Sequence, residues 1–103
     1  MTTEAPLREQ YHAVGREAGG ELLLRRRDAL RFVEDCERLG LTILGLDFFR
    51  EDGESIVPLL ASADYGELLG VPEAARRSAA EARGLMERGL PDGATLVSVV
   101  VAV

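Results

Sequence analysis

The chain has 103 residues, of which 18 are acidic and 12 basic, for a net charge of −6, and 47% are hydrophobic. A single domain of this size is expected to bury about 65% of its unfolded surface, so a core can form without metals or disulfides. One cysteine, Cys36, excludes an internal disulfide framework, and one histidine, His12, excludes a histidine-rich metal centre; no apolar run approaches the roughly 18 residues of a membrane span.

Residues 1–20 read as an N-terminal helix or arm ending in a flexible joint. Pro6 suits a first helical position, Leu7, Tyr11 and Val14 recur at helical spacing, and Gly15 and Gly19-Gly20 break the pattern. Glu21 to Arg25 is either a short strand or the start of the next helix. Residues 28–39 predict a helix with Asp28 as N-cap, an apolar face of Ala29, Phe32, Val33, Cys36 and Leu39, and a Glu34–Arg38 pair. Gly40 supplies the left-handed residue after it, with Leu41 packing back.

Leu41 to Phe49 is apolar on both faces, as in a central strand, and Gly45 within it predicts a bulge or a close backbone approach. Asp52-Gly53 predicts a hairpin, with a return strand over Ser55 to Leu60. Pro58 sends that strand to an edge. Residues 61–70 read as irregular or a short helical turn. Residues 72–88 predict a second main helix with Pro72 at its first position, Glu73 in its first turn, and Ala75, Ser78, Ala79, Ala82, Leu85 and Met86 facing inward. Such small residues predict a helix lying close on a sheet. Gly89 to Pro91 end it, Asp92-Gly93 turn the chain, and Ala94 to Val103 form a strand apolar on both faces. The expectation is one α+β domain over 1–103. It has a small mixed sheet of three or four strands, with two main helices packed on it and the N-terminal helix beside them. A ferredoxin-like βαββαβ arrangement is one option.

The charge is uneven. Residues 41–75 hold one arginine, Arg50, against Asp47, Glu51, Asp52, Glu54, Asp64, Glu67 and Glu73, whereas the two flanks nearly balance. All basic residues are arginine, and lysine and asparagine are absent. That is the mark of a G+C-rich coding sequence, and it weakens any inference from arginine over lysine. Clustered acids steer basic partners, and they also keep a loop solvated. The low pI argues against nucleic acid as a partner. The N-terminal stretch lacks the apolar core of a signal peptide, so a cytoplasmic location is expected.

The sequence offers no catalytic set. Cys36 lies on an apolar helix face and reads as a buried thiol. His12 has no triad partner nearby, and the acids of the hairpin lack calcium-loop spacing. Arg25-Arg26-Arg27 reads as a solvated helix start. No cofactor or metal site is expected.

The stretch Asp28-Ala29-Leu30 to Cys36, followed by Gly40-Leu41-Thr42-Ile43-Leu44-Gly45-Leu46-Asp47-Phe48, resembles the core of the immunity protein 40 family of bacterial polymorphic toxin systems. Ser78 and Ala82 on the later helix and the closing strand Leu96 to Val103 extend the resemblance over about residues 22–103. Leu46 stands where the family pattern has a second glycine, and the tryptophan and asparagine of its next loop have no counterpart. The resemblance implies a small cytoplasmic, non-enzymatic inhibitor that neutralises a cognate, basic toxin domain by tight binding. The acidic hairpin and the 61–70 loop are then the expected partner surface: Asp47, Glu51, Asp52, Glu54, Asp64 and Glu67 pair with basic groups, and Phe49 and Tyr65 act as anchors. The rival readings are a ferredoxin-like small-ligand module or minor enzyme, and an assembly protein with the last strand at a dimer seam. The sequence leaves monomer and homodimer open.

Overall fold

A computed structural model describes residues 4–102. The elements run α1 (Glu4–Gln10), β1 (Arg16–Ala18), β2 (Glu21–Leu23), α2 (Arg26–Arg38), β3 (Ile43–Asp52), β4 (Ser55–Asp64), α3 (Ala74–Glu87) and β5 (Leu96–Val101), with short 3-10 turns at Gly66–Leu68 and Pro91–Gly93. Strands β4-β3-β5 form a three-stranded sheet, and β1-β2 form a separate ribbon. The ribbon joins the sheet through one bridge, Leu24 to Val97, whose two N–H···O bonds measure 2.9 and 2.8 Å. The α+β fold with two main helices on a small sheet is thus present.

Two points differ from expectation. Every neighbouring pair is antiparallel, so the sheet is not mixed. The reason is that each crossover skips a strand: α2 joins β2 to β3 with β5 between them, and α3 joins β4 to β5 with β3 between them. These are split βαβ units, as in the ferredoxin-like option. The inner strands, however, are β3 and β5, the second and fourth of the βαββαβ run, where a ferredoxin-like sheet has its first and third.

One sheet face is covered by α2 and α3. Ala29, Phe32, Val33 and Cys36 from α2, Ala79, Ala82 and Met86 from α3, and Ile43, Leu46, Phe48, Val97 and Val101 from the sheet are all buried in one cluster. Alanines at 79 and 82 let α3 lie close, and at Ser78 the approach becomes a bond: the Ile43 N–H donates to Ser78 Oγ at 3.0 Å. Arg83 of α3 pairs with Glu37 of α2 at 2.6 Å. Leu7 of α1 is buried in the same cluster, and the Tyr11 ring packs edge-on against Phe32 with centroids 5.2 Å apart.

The helix ends show where local chemistry decided. After α2, Gly40 takes φ 74°, its N–H reaches Glu37 O, and the Leu41 N–H reaches Cys36 O at 2.8 Å, as in a Schellman motif. The N-termini differ from expectation. Arg25, not Asp28, precedes α2, and Asp28 already lies inside the first turn, where its charge still suits the dipole. Pro72 lies outside α3, and Glu73 precedes it in the left-handed region at φ 59°. Arg38 pairs with Asp35 at 2.8 Å rather than with Glu34.

The N-terminal helix is shorter than expected, because residues 16–23 form a hairpin. Gly19 and Gly20, at φ 58° and 81°, are its two central residues. A glycine pair between two strands is the two-residue hairpin signal, read above as a joint. Glu21–Leu23 is the strand alternative of the two left open. The main hairpin turns at Gly53-Glu54, one residue beyond the expected pair, with Asp52 opposite Ser55. Its return strand runs on to Asp64, through much of the segment expected to be irregular. Pro58 does lie on the edge strand, β4.

Candidate functional site

Among the described residues, no helix lies over the second sheet face. Register identifies the residues that share it: Gly45, Asp47, Phe49 and Glu51 on β3, Leu96, Ser98 and Val100 on β5, and Ile56, Pro58, Ser62 and Asp64 on β4. Side chains alternate across a strand, so these are the positions turned away from Leu46, Phe48 and Val97.

This face has two halves. In the first, Phe49, Leu96 and Leu23 are buried together, with Ala18 and Ile56 packed against them. The β1-β2 ribbon supplies Ala18 and Leu23 and closes over the sheet. Glu51 fastens it, accepting from Arg25 Nη1 at 3.0 Å and Nη2 at 3.3 Å, and from Arg16 Nη1 at 3.2 Å. Partial burial opposes ionisation of Glu51, but Arg25 and Arg16 outweigh it and hold the carboxyl below its ordinary range.

The second half is open. Its floor is made of small residues: Gly45, with Ser62 and Ser98 flanking Asp47 in the next row. A side chain at Gly45 does not fit, because a Cβ there would lie 2.5 Å from Ala63 O. The β3 register also shifts beside it, so both expectations for Gly45, bulge and close approach, hold. Aliphatic residues stand at the margins. Val100 is 37% exposed, and Leu60 is fully exposed at 104%. Three β4 residues, Leu59 to Ala61, face the single residue Phe48 across a second register shift. Leu59 and Ala61 pack into the helix-side core, and Leu60 between them is thrown out to solvent.

The expected partner residues separate accordingly. Asp47 and Asp64 lie on the open half, and Asp52 and Glu54 are exposed at the hairpin tip beside the covered half. Glu67 is exposed on the 3-10 turn. None of these five makes an ion pair among the described residues. Asp64 caps its own loop, accepting from the Gly66 N–H at 2.8 Å. Glu51 is taken up by the ribbon. Phe49, 9% exposed, is the centre of the second cluster and not a free anchor. Tyr65 packs on the helix-side core, and its hydroxyl is buried with no hydrogen-bond partner among the described residues. Burial, with Glu81 nearby, pushes its pKa up. Neither ring stands where the sequence reading placed it. Leu60 was missed, although Leu59-Leu60 on one strand cannot both point inward.

Elsewhere, a groove of about 330 Å³ between α1 and α2 is lined by Gln10, Tyr11, Val14, Asp28, Arg31, Glu34 and Asp35. The Tyr11 hydroxyl donates to Asp35 at 2.5 Å. Burial and that donation push the Tyr11 pKa up. Burial alone would raise Asp35, but the bonds from Arg38 and Tyr11 hold it below its ordinary value. Cys36 is buried, and His12 is exposed 3.1 Å from Glu17. Among the described residues no group of three His, Cys, Asp or Glu is placed to hold a metal, and no helix is long and apolar enough to cross a membrane.

Comparison with family models, curated proteins and solved structures finds no match to this chain.

Proposed function

We propose that the chain is an immunity-type inhibitor that binds a basic toxin domain through the open half of its sheet and the acidic hairpin beside it. The observation that carries this reading is the asymmetry of the sheet. One face is sealed by two helices, while half of the other is a bare surface of small residues with exposed leucine and valine at its margins. The acids of residues 41–75 that the fold does not use for itself lie on this surface, at the neighbouring hairpin tip, and on the loop after β4. Internal pairing removes Glu51, and Arg76 takes Glu73 at 2.9 Å, so the remaining negative charge is turned outward. Such a surface attracts a cationic partner and speeds encounter; its exposed carboxylates act mainly on association rate and salt dependence. The resemblance to the immunity protein 40 family supports the same reading.

The test is co-expression of the tagged chain with the C-terminal domain encoded by the neighbouring upstream gene. A stoichiometric complex and rescued growth are expected. No complex, together with a partner that is not toxic, refutes the inhibitor reading.

A second reading, a small-ligand module, has one observation in its favour: the groove at Tyr11 and Asp35. Its volume lies at the lower end for ligand sites. A metabolite thermal-shift screen decides it, because a bound ligand must raise the melting temperature.

A further inference from the structure

We infer that Asp47, with Ser62 and Ser98 on either side of it, is a seat for one guanidinium group of the partner. This rests on the partner-binding reading above and names the chemistry of its centre.

The three residues form one row across three strands, Asp47 being the register partner of Ser62 on β4 and of Ser98 on β5. Neighbouring side chains in such a row stand about 5 Å apart and share a face. Asp47 is only partly exposed and has no base and no hydrogen-bond donor among the described residues. Ser98 is the second, independent observation. It is 5% exposed, yet its hydroxyl makes no hydrogen bond among the described residues. The other buried polar residue, Ser78, has both donor and acceptor partners, at Ala75 O and Ile43 N. An unbonded hydroxyl on a nearly buried residue, beside an unpaired carboxylate on the same face, is an arrangement that a donor from outside completes.

The fold itself shows what this face does with a carboxylate. Glu51, on the same side of β3 as Asp47, holds the forked guanidinium of Arg25 through both oxygens and takes a third bond from Arg16. Asp47 is the same kind of position without an internal arginine. A guanidinium suits it better than an ammonium. The acceptors lie in a flat row, which a planar five-donor fork matches and a compact point charge does not. Leu60 and Val100, exposed at the two sides, offer aliphatic surface to the methylene stem of the entering side chain.

The experiment has two arms. In the first, N-acetyl-arginine amide and its lysine counterpart are titrated into the isotope-labelled protein and amide shifts are followed. Arginine amide should move Asp47, Ser62 and Ser98 together, more than the lysine compound does, and Asp47→Asn should abolish the response. Shifts centred instead on Asp52, Glu54 and Glu67 would overturn the seat. In the second, affinity for the co-expressed toxin domain is measured. Asp47→Asn should weaken it about thirtyfold or more, as loss of one side of a desolvated charge pair does. Ser98→Ala should weaken it by about fivefold, whereas Glu87→Gln, at an exposed position of α3 away from the open half, should stay within about twofold. A complex that Asp47→Asn leaves within threefold of wild type refutes the seat and spares the inhibitor reading. If wild type forms no complex, the inhibitor reading fails and the arginine titration alone decides the seat. Ser98→Ala keeps the test valid if Asp47→Asn proves unstable.

Discussion

The two faces of the sheet are built from the same three strands and do opposite things. The helix-side face is continuous: Leu46, Phe48 and Val97 share one cluster with α2 and α3, and Ser78 there accepts from the Ile43 N–H, although the Tyr65 hydroxyl at its margin is buried without a partner among the described residues. The other face is divided. A short ribbon seals half of it by a small cluster and a clamp of two arginines on Glu51, and the rest is left to solvent. The difference teaches that one side of β3 is given wholly to the core, while the other is shared between a second small cluster and an open surface, the one proposed to meet the partner. A change at Phe48 tests the fold, and one at Asp47 tests the open surface.

The comparison is broken most severely by Phe48→Ala, which should lower the unfolding free energy by about 3–5 kcal/mol in urea melts. Phe49→Ala, on the smaller and more exposed cluster, should cost less than that. Equal losses would mean that the two faces do not differ in the way described. Gly45→Ala comes next, at about 1–3 kcal/mol, because the new methyl meets a backbone oxygen that cannot move aside. Ser78→Ala should cost a similar or smaller amount, about 1–3 kcal/mol, by leaving the Ile43 N–H buried and unbonded.

The ribbon clamp sharpens the comparison through pH. Glu51 and Asp35 are both held below the ordinary carboxylate range, so each stabilises the fold fully above about pH 4–5. That contribution is lost as pH falls through their folded-state values. Stability measured from pH 6 to pH 3 should therefore decline, and Glu51→Gln should flatten part of the decline. Its signature belongs on the divided face: amide exchange should speed up in residues 16–23 before it does in β3. The smallest effect is expected at Leu60. Leu60→Ser should leave the unfolding free energy within about 0.5 kcal/mol of wild type, because the side chain is fully exposed. Any larger loss would show that the bulge itself needs this leucine.

Much of the frame was legible along the chain. Helical spacing over Ala29 to Cys36 and Ser78 to Met86 marked the buried faces, Gly40 marked the end of α2, and Pro58 marked an edge strand, because each of these signals acts within one or two turns of backbone. The first hairpin was also present, in Gly19-Gly20, but its strands are three residues each and carry no period to read. Of the candidate site, the acids were legible as a concentration and not as an arrangement. Phe49 and Tyr65 were chosen as large rings beside carboxylates, and both are packed inward. Glu51 was chosen for its charge, and it is spent on Arg16 and Arg25, which lie 35 and 26 residues away in sequence.

By itself, then, the sequence determined the two main helices, the main hairpin and the last strand, the α+β class, most of the core faces of both main helices and the acidic excess of the middle third. These follow from local periodicity, turn chemistry and composition. Only the tertiary structure decided that α2 and α3 cover the same side of the sheet, that each crossover skips a strand, and that the ribbon stops halfway across the other side. It alone brought Asp47 into one row with Ser62 and Ser98. Strand register and the choice of covered face are long-range packing solutions, and no window of sequence contains both partners of the contacts that settle them.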